Sequence, residues 1–307
     1  MTKSSPPVNQ IDLTVEPNSI HFDSSRSKLL GVDQISRTLK FSPSNDELYN
    51  DSVKIASIIE EIKIILDESK ASLLSLDVFD TTLLRSTKCE ARRFFEISQL
   101  FCSNINASFT PYDAFIARLN AAKASYRYAN SASDLTREGK HSTIVEITCS
   151  LLGVRDLADQ YLSTEIQYEI SELRLNPIIK GLTESLNEQA IVFISDMYFS
   201  SETIRQLLSP YFSDPEVYSS GDGLGSKRAG GLFTYVANKK NIPLDKVLHI
   251  GDSLKSDFQP IRRLGGRSLF FPLSNCEINQ RRQCYERLSA DLNDHGISLE
   301  SVVDFNY

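Results

Sequence analysis

The sequence predicts an α/β fold in which a Rossmann-like parallel sheet is interrupted by an inserted helical domain. The stretch 73–79 is apolar on nearly every residue, which is typical of a parallel strand buried on both faces. Short apolar strands alternate with helices again after residue 190. Between these regions lie roughly a hundred residues of helical spacing, far more than a βαβ crossover needs. We therefore expect a sheet domain with a helical insertion.

The chain divides into four expected regions. Residues 1–45 are rich in Ser, Pro, Asn and Asp, and we expect a peripheral or poorly ordered N-terminal arm that docks on the main domain or on a partner protein. Residues 46–85 and 178–275 form the α/β core, and residues 86–177 form the helical insert. Residues 276–307 are expected to form a C-terminal helix and tail.

Hydrophobic periodicity places the elements within these regions. One amphipathic helix is predicted over 45–70, directly before the first strand. Further helices are predicted at 89–105, 111–128, 143–152, 157–175, 177–186, 201–208, 232–239, from the end of GDSLKSD to residue 264, and at 277–292. The remaining strands are predicted at 190–194, 216–219, 246–250 and 267–271.

Composition excludes several classes of protein. The 307 residues are 41% hydrophobic and carry a formal net charge of −7, which argues against a nucleic-acid protein that works by phosphate neutralisation. No apolar run approaches membrane-spanning length, and the first residues lack the apolar core of a signal peptide. Five scattered cysteines without CxxC spacing indicate reduced thiols. We expect a cytoplasmic protein without membrane insertion.

Chemically informative residues follow several of the predicted strands. Asp77, Ser195, Lys227, Asp252 and Asp257 lie at or after strand ends, which face one crevice in an open parallel sheet. Carboxylates from two strands suit Mg²⁺, whereas a lysine and a serine hydroxyl hold the charged oxygens of a phosphate. Together these residues indicate a phosphoryl-transfer site with one attacking carboxylate and one metal ion.

Asp80 and Thr81 follow Asp77 closely, and this spacing allows several interpretations. Two acids within four residues at a strand end are compatible with three roles: holding a metal, offering a nucleophile, or capping a turn or helix through bonds to backbone groups. The spacing alone does not separate these alternatives.

Four motifs in this order resemble those of the haloacid dehalogenase (HAD) superfamily. They are DVFDT at 77–81, FISD at 193–196, KRAGGLF from Lys227, and HIGDSLKSD at 249–257. The resemblance covers about residues 72–272, and the helical insert resembles the C1 cap of that superfamily. More narrowly, the motifs resemble a bacterial subgroup of predicted HAD hydrolases often associated with surface-polysaccharide systems.

The resemblance implies a role for each matched residue. Asp77 would attack phosphorus and form an aspartyl-phosphate, and Mg²⁺ would be held by Asp77, the backbone carbonyl of Phe79, and Asp252. Ser195 would bond the transferring phosphoryl group, and Lys227 would pair with Asp77.

Asp257 has two interpretations. It would orient Lys227 or a metal-bound water, or it would act as a helix cap ahead of Pro260.

Phe79 is a departure from this pattern. HAD phosphatases usually place a second aspartate there as general acid and base, whose absence typically costs ~10²- to 10⁴-fold in rate. Asp80 and Asp196 are the candidate substitutes, although Asp80 has the alternative role of stabilising a turn. Arg85 and Thr81, near the first motif, are candidate substrate contacts.

Three functions therefore remain open. The preferred one is a Mg²⁺-dependent phosphatase or phosphotransferase acting on a small phosphorylated metabolite such as a sugar phosphate. The second is a non-catalytic HAD-fold module that binds a phosphorylated ligand or a partner. The third is a metal-free 2-haloacid dehalogenase, which the acidic residues of GDSLKSD disfavour because such a site needs no metal.

Overall fold

The computed structural model describes residues 30–132, 134–186 and 189–299. Most of the predicted N-terminal arm, residues 1–29, lies outside them, as do the last residues, 300–307, of the predicted C-terminal tail. The described end of the arm forms helix α1 (Leu30–Lys40), whose Ile35 and Leu39 are buried in the core, as an arm that docks on the main domain would be.

A parallel sheet of five strands forms the centre of the molecule, in the order β5-β4-β1-β6-β7. The predicted Rossmann-like α/β fold is therefore confirmed. The strands are β1 (Leu73–Asp77), β2 (Leu83–Leu84), β3 (Arg174–Leu175), β4 (Ala190–Ser195), β5 (Val217–Ser219), β6 (Val247–Gly251) and β7 (Arg267–Phe270). All five residues of β1 are buried, as expected for the central strand of a sheet covered on both faces.

Eleven further α-helices flank this sheet or form the insert in the described residues. They are α2 (Asn45–Asn50), α3 (Ser52–Ser69), α4 (Glu90–Ile105), α5 (Pro111–Tyr128), α6 (His141–Leu151), α7 (Ala158–Glu172), α8 (Pro177–Ser185), α9 (Ser201–Leu208), α10 (Gly231–Lys240), α11 (Gln259–Arg263) and α12 (Asn275–Asn293). A π-helical turn (Leu254–Phe258) precedes α11. No described helix combines the length and apolarity needed to cross a bilayer.

The single helix predicted over 45–70 is wrong, because two helices meet at Asp51. The Asp51 N–H bonds the carbonyl oxygen of Leu48 and ends α2, while its carboxylate accepts the N–H of Lys54 at 3.0 Å and begins α3. Side-chain capping of this kind satisfies the unpaired donors of a first helical turn. Continuous apolar spacing on both sides concealed the break.

The helical insert is joined to the core by two short strands that the sequence analysis missed. Helices α4 to α7 lie between β2 and β3, and these strands pair antiparallel through Leu83 with Leu175 and Leu84 with Arg174. The second helix of the insert matches its predicted bounds, because Pro111 occupies its first turn and Thr110 forms a capping box with Asp113. The chain therefore leaves and returns to the core at adjacent points.

Candidate active site

The carboxyl ends of β1, β4 and β6 surround a cleft of about 280 Å³. In the parallel register Asp77 lies beside Ile194, so that Ser195 and Asp196 continue past the end of β1, and Asp252 follows the last residue of β6. The register thus brings the first, second and fourth motifs to one edge of the sheet. Lys227 reaches the same cleft from the loop between β5 and α10.

Lys227 joins two carboxylates in the floor of the cleft. Its Nζ donates to Oδ1 of Asp77 and to Oδ1 of Asp257, and all three side chains are almost fully buried. Burial lowers the pKa of Lys227, but the charges of Asp257 and Asp77 outweigh it and hold that pKa above its ordinary value. Burial raises the pKa of Asp77 to about 7 against the opposing effect of Lys227. The lysine is a fixed positive charge beside the candidate nucleophile.

The Asp257 carboxylate is held in place by contacts with three nitrogen groups. Besides Lys227, its carboxylate contacts His249 Nε2 at 3.0 Å and accepts the N–H of Ser253 at 2.9 Å. On its other side, His249 Nδ1 lies 2.8 Å from the hydroxyl of Ser75 in β1. The structure thus places Asp257 where it both orients Lys227 and bonds a backbone group in its own turn.

Three carboxylates in the cleft fit a divalent cation. One oxygen each of Asp77, Asp252 and Asp257 lie within 4.8 Å of one another. Burial and the charges of Asp77 and Asp257 raise the pKa of Asp252 well above its ordinary value, because Lys227 compensates only part of the negative charge. Hard oxygen ligands with excess negative charge suit Mg²⁺. Because Asp257 also contacts His249 and the Ser253 N–H, Asp77 and Asp252 are the side chains that would hold the ion, and the Phe79 carbonyl stays a predicted ligand.

The structure argues against the proton-transfer role predicted for Asp80. Its carboxylate accepts two bonds from Arg281 of α12, at 2.7 and 2.8 Å, while its backbone has φ +62° and its N–H bonds Leu83. Burial raises the pKa of Asp80, but Arg281 outweighs burial and holds this pKa well below its ordinary range. A carboxylate that stays ionised and ion-paired is a poor general acid. Asp80 instead fixes the turn after β1, the alternative that the sequence had left open.

Asp196, the other candidate proton donor, bonds the loop that carries Lys227. Its carboxylate accepts the N–H groups of Lys227 at 2.6 Å and Arg228 at 3.1 Å. Burial raises the pKa of Asp196, and Lys227 opposes this rise. Asp196 lines the cleft, yet both of its oxygens already accept backbone bonds. Its evident role is to hold the Lys227 loop against the end of β4.

Arg85 lines the cleft, as expected of a substrate contact, and covers Phe79. Its guanidinium lies 4.1 Å from the centre of the Phe79 ring and contacts Glu169 at 3.3 and 3.4 Å. Thr81 does not line the cleft and is fully buried, which contradicts its predicted contact with a substrate. Its hydroxyl instead lies beside Asp77 and lowers the pKa of that carboxyl.

Ser195 is the last residue of β4 and lines the cleft next to Asp196. Only 2% of its surface is exposed, and it lines the same small volume as Asp77 and Lys227. This position is compatible with a bond to a phosphoryl oxygen.

Two arginines of the insert, Arg93 and Arg118, are buried and ion-paired rather than exposed on a helix face. Arg118 is fully buried and donates to Glu165 at 2.8 and 3.2 Å, while Arg93 donates to Glu169 at 2.9 Å. Helical spacing could not show this, because the partner carboxylates lie on a different helix, α7. Arg118 and Arg93 therefore hold the insert together rather than binding an anion.

Two residues of the insert line the cleft, and the sequence had offered Tyr126 as a residue that stacks on a sugar or base, whereas Glu90 was missed. Glu90 begins α4, and Tyr126 lies in the last turn of α5. The only sequence signal for Glu90 was its place at the start of the insert, close behind the first motif. Together they show that the insert forms part of the wall around Asp77.

No protein-family model and no curated protein matches the chain. Among solved structures, it is similar to a haloacid dehalogenase-like family hydrolase from Xanthomonas campestris, with 16% identity, 67% of this chain and 84% of that chain covered, and a TM-score of 0.37. The HAD hydrolase YfnB from Bacillus subtilis, bound to magnesium, shows 17% identity, coverages of 64% and 85%, and a TM-score of 0.38.

A 2-haloacid dehalogenase from Pseudomonas syringae shows 13% identity, coverages of 71% and 99%, and a TM-score of 0.47. These similar structures are thus HAD-like hydrolases.

Proposed function

We propose that the protein is a HAD-type hydrolase, a Mg²⁺-dependent phosphatase or phosphotransferase that acts on a small phosphorylated metabolite such as a sugar phosphate. The observation that carries this proposal is the contact of Lys227 with both Asp77 and Asp257, next to Asp252. A nucleophilic carboxylate, a fixed cation and a second metal-ligating carboxylate are the parts that phosphoryl transfer through an aspartyl-phosphate needs.

In this reaction Asp77 attacks phosphorus through a carboxylate oxygen, and the bond from phosphorus to the leaving oxygen breaks. Water or an acceptor hydroxyl then attacks the aspartyl-phosphate, which releases phosphate or the phosphorylated acceptor and restores Asp77. Lys227 stabilises the charge that develops on the phosphoryl oxygens, and Ser195 donates a hydrogen bond to one of them. A bound Mg²⁺ would neutralise the remaining phosphoryl charge.

The insert supports this chemistry by bounding the cleft. Glu90 and Tyr126 form part of its wall, beside the place that a leaving group would occupy. Arg85 offers a guanidinium at the wall of the cleft, suited to an anionic group of the substrate. A cleft of about 280 Å³ favours a small metabolite over a macromolecule.

Phosphate release from a panel of sugar and nucleotide monophosphates tests the proposal. We expect release with Mg²⁺, none in EDTA, and a loss of at least ~10³-fold for Asp77→Asn. Asp245→Asn, at an exposed position away from the cleft, is the matched control and should retain full activity. Turnover by Asp77→Asn at the wild-type rate would refute the mechanism.

The Phe79 ring favours a second candidate, a non-catalytic module that binds a phosphorylated ligand. Phe79 occupies the position of the usual acid and base, and Arg281 fixes Asp80. Calorimetry with the same panel separates the two functions, because a binding module gives saturable heat without phosphate release. Chloride release from 2-haloacids in EDTA would instead indicate the metal-free dehalogenase.

A further inference from the structure

A hairpin of the insert reaches across to the loop that carries Lys227. The hairpin connects α5 with α6 and has an antiparallel bridge between Ser131 and Arg137. Near its tip, Asp134 accepts the N–H of Thr136 with Oδ1 at 3.0 Å and the N–H of Ser226 with Oδ2 at 2.8 Å. One carboxylate thus braces the hairpin with one oxygen and bonds the core with the other.

The core surface that receives Asp134 consists of two glycines, Gly225 and Gly231, which we call the glycine seat. A Cβ atom built on Gly231 would lie 2.4 Å from Oδ2 of Asp134, and one on Gly225 would lie 2.8 Å from the same atom. Any side chain at these positions would displace the carboxylate, so the close approach requires glycine. Contact through a seat of this shape is specific rather than incidental.

The loop held by Asp134 is the one that places the active-site lysine. Three successive backbone donors of this loop, from Ser226, Lys227 and Arg228, are bound by two carboxylates. Asp196 of the core accepts two of these bonds, and Asp134 of the insert accepts the third. The Lys227 side chain then extends from the middle of this segment to Asp77.

We propose that Asp134 is a positioning residue through which the insert, seated on the core, sets the placement of Lys227. The expected effect on kcat rests on the proposed function. The expected effect on the Lys227 loop rests on the geometry alone. When the hairpin leaves the glycine seat, Ser226 loses its acceptor and the Lys227 loop is held from the core side alone. The lysine is then fully aligned with Asp77 only while the insert covers the cleft.

Two measurements on the full chain test this coupling. Asp134→Ala should lower kcat for phosphate release about 10- to 100-fold, because small misplacements of a charged group are costly, while KM changes less. The same variant should accelerate amide hydrogen exchange at 226–229. Its unfolding midpoint should stay close to that of wild type, because the opening is local. Asp134→Asn, whose side-chain oxygen can still accept the Ser226 N–H, should restore most of kcat.

Two further variants separate positioning from hairpin stability. Thr136→Val removes the bond from the Thr136 hydroxyl to Asp134 and leaves the bond to Ser226, so kcat should stay near wild type. Gly231→Ala lies in the first turn of α10, where alanine favours the helix, but its methyl group displaces Asp134. It should therefore lower kcat while the protein remains folded.

The outcomes distinguish this inference from the proposed function. If wild type releases no phosphate from any substrate, the proposed function fails, and faster exchange at 226–229 in Asp134→Ala still supports the positioning contact. The inference is overturned if Asp134→Ala and Gly231→Ala retain the wild-type kcat. It is also overturned if Thr136→Val lowers kcat as much as Asp134→Ala does. Unchanged exchange at 226–229 in Asp134→Ala overturns it as well.

Discussion

The Asp80 carboxylate lies against the Arg281 guanidinium, with one oxygen 2.8 Å from Nη1 and the other 2.7 Å from Nη2. This pair joins the turn after the first strand to the C-terminal helix. Two parallel charge-assisted bonds fix both orientation and ionisation of the carboxylate. An acid that the sequence offers for proton transfer is therefore used to hold the turn that follows Asp77.

Asp80→Asn tests this assignment. The pH dependence of kcat/KM for phosphate release should keep its shape, because Asp80 stays ionised throughout the active range. The variant should lose about 1–3 kcal/mol of unfolding free energy, since Arg281 loses a charged partner in a mostly buried site. Disappearance of one limb of the pH profile would instead make Asp80 the proton-transfer group.

Phe79→Asp should supply the acid and base that the sequence lacks. A carboxyl group there would sit in the cleft under Arg85 and near Asp77, where it can exchange a proton with the leaving oxygen or the attacking water. We expect steady-state hydrolysis to be at least ~10-fold faster than in the matched Phe79→Asn variant. Both variants lose the same ring contacts, so equal rates would show that proton transfer does not limit turnover.

Asp252→Asn should separate charge repulsion from metal binding. In EDTA at neutral pH the variant should melt at a higher temperature than wild type, because folding no longer has to charge or protonate a buried carboxyl beside Asp77 and Asp257. At ~100 times its dissociation constant, Mg²⁺ should stabilise wild type by about 2.7 kcal/mol and the variant far less. Asp245→Asn should respond to Mg²⁺ like wild type; an equal response of Asp252→Asn would remove Asp252 from the metal site.

The buried pair of Arg118 and Glu165 should make the insert sensitive to acid. Burial raises the pKa of Glu165, but Arg118 outweighs it and holds this pKa well below its ordinary range. Since the folded-state pKa is depressed, the stabilisation is present above the ordinary value of about 4.3 and is lost as pH falls below it.

Glu165→Gln should therefore lower the unfolding free energy by ~3 kcal/mol at neutral pH, because it leaves Arg118 buried without its counter-charge. The difference in unfolding free energy between the variant and wild type, measured by urea unfolding, should be smaller at about pH 3.5 than at neutral pH. Glu146→Gln, on the exposed face of α6, is the control and should match wild type at both pH values. A gap that is constant with pH would contradict the ionised pair.

The sequence predicted the five-stranded sheet well, because its strands are apolar runs that end in polar residues. Asp77 and Ser195 could be placed at strand ends for this reason, and the parallel register then explains why they meet. Strands of two residues, such as Leu83–Leu84, are too short to leave a pattern. The partners of Asp80 and Arg118 come from distant segments, so local spacing could not reveal that both are ion-paired.

The ribbon formed by β2 and β3 ties the two ends of the insert together. Both crossings of the chain share one pair of hydrogen-bonded strands, so neither can shift without the other. The ribbon is two residues long, so it fixes both ends of the insert at one place on the core. The far end of the insert is fixed separately, where Asp134 rests on Gly225 and Gly231, and the wall beside Asp77 is thus supported from two sides.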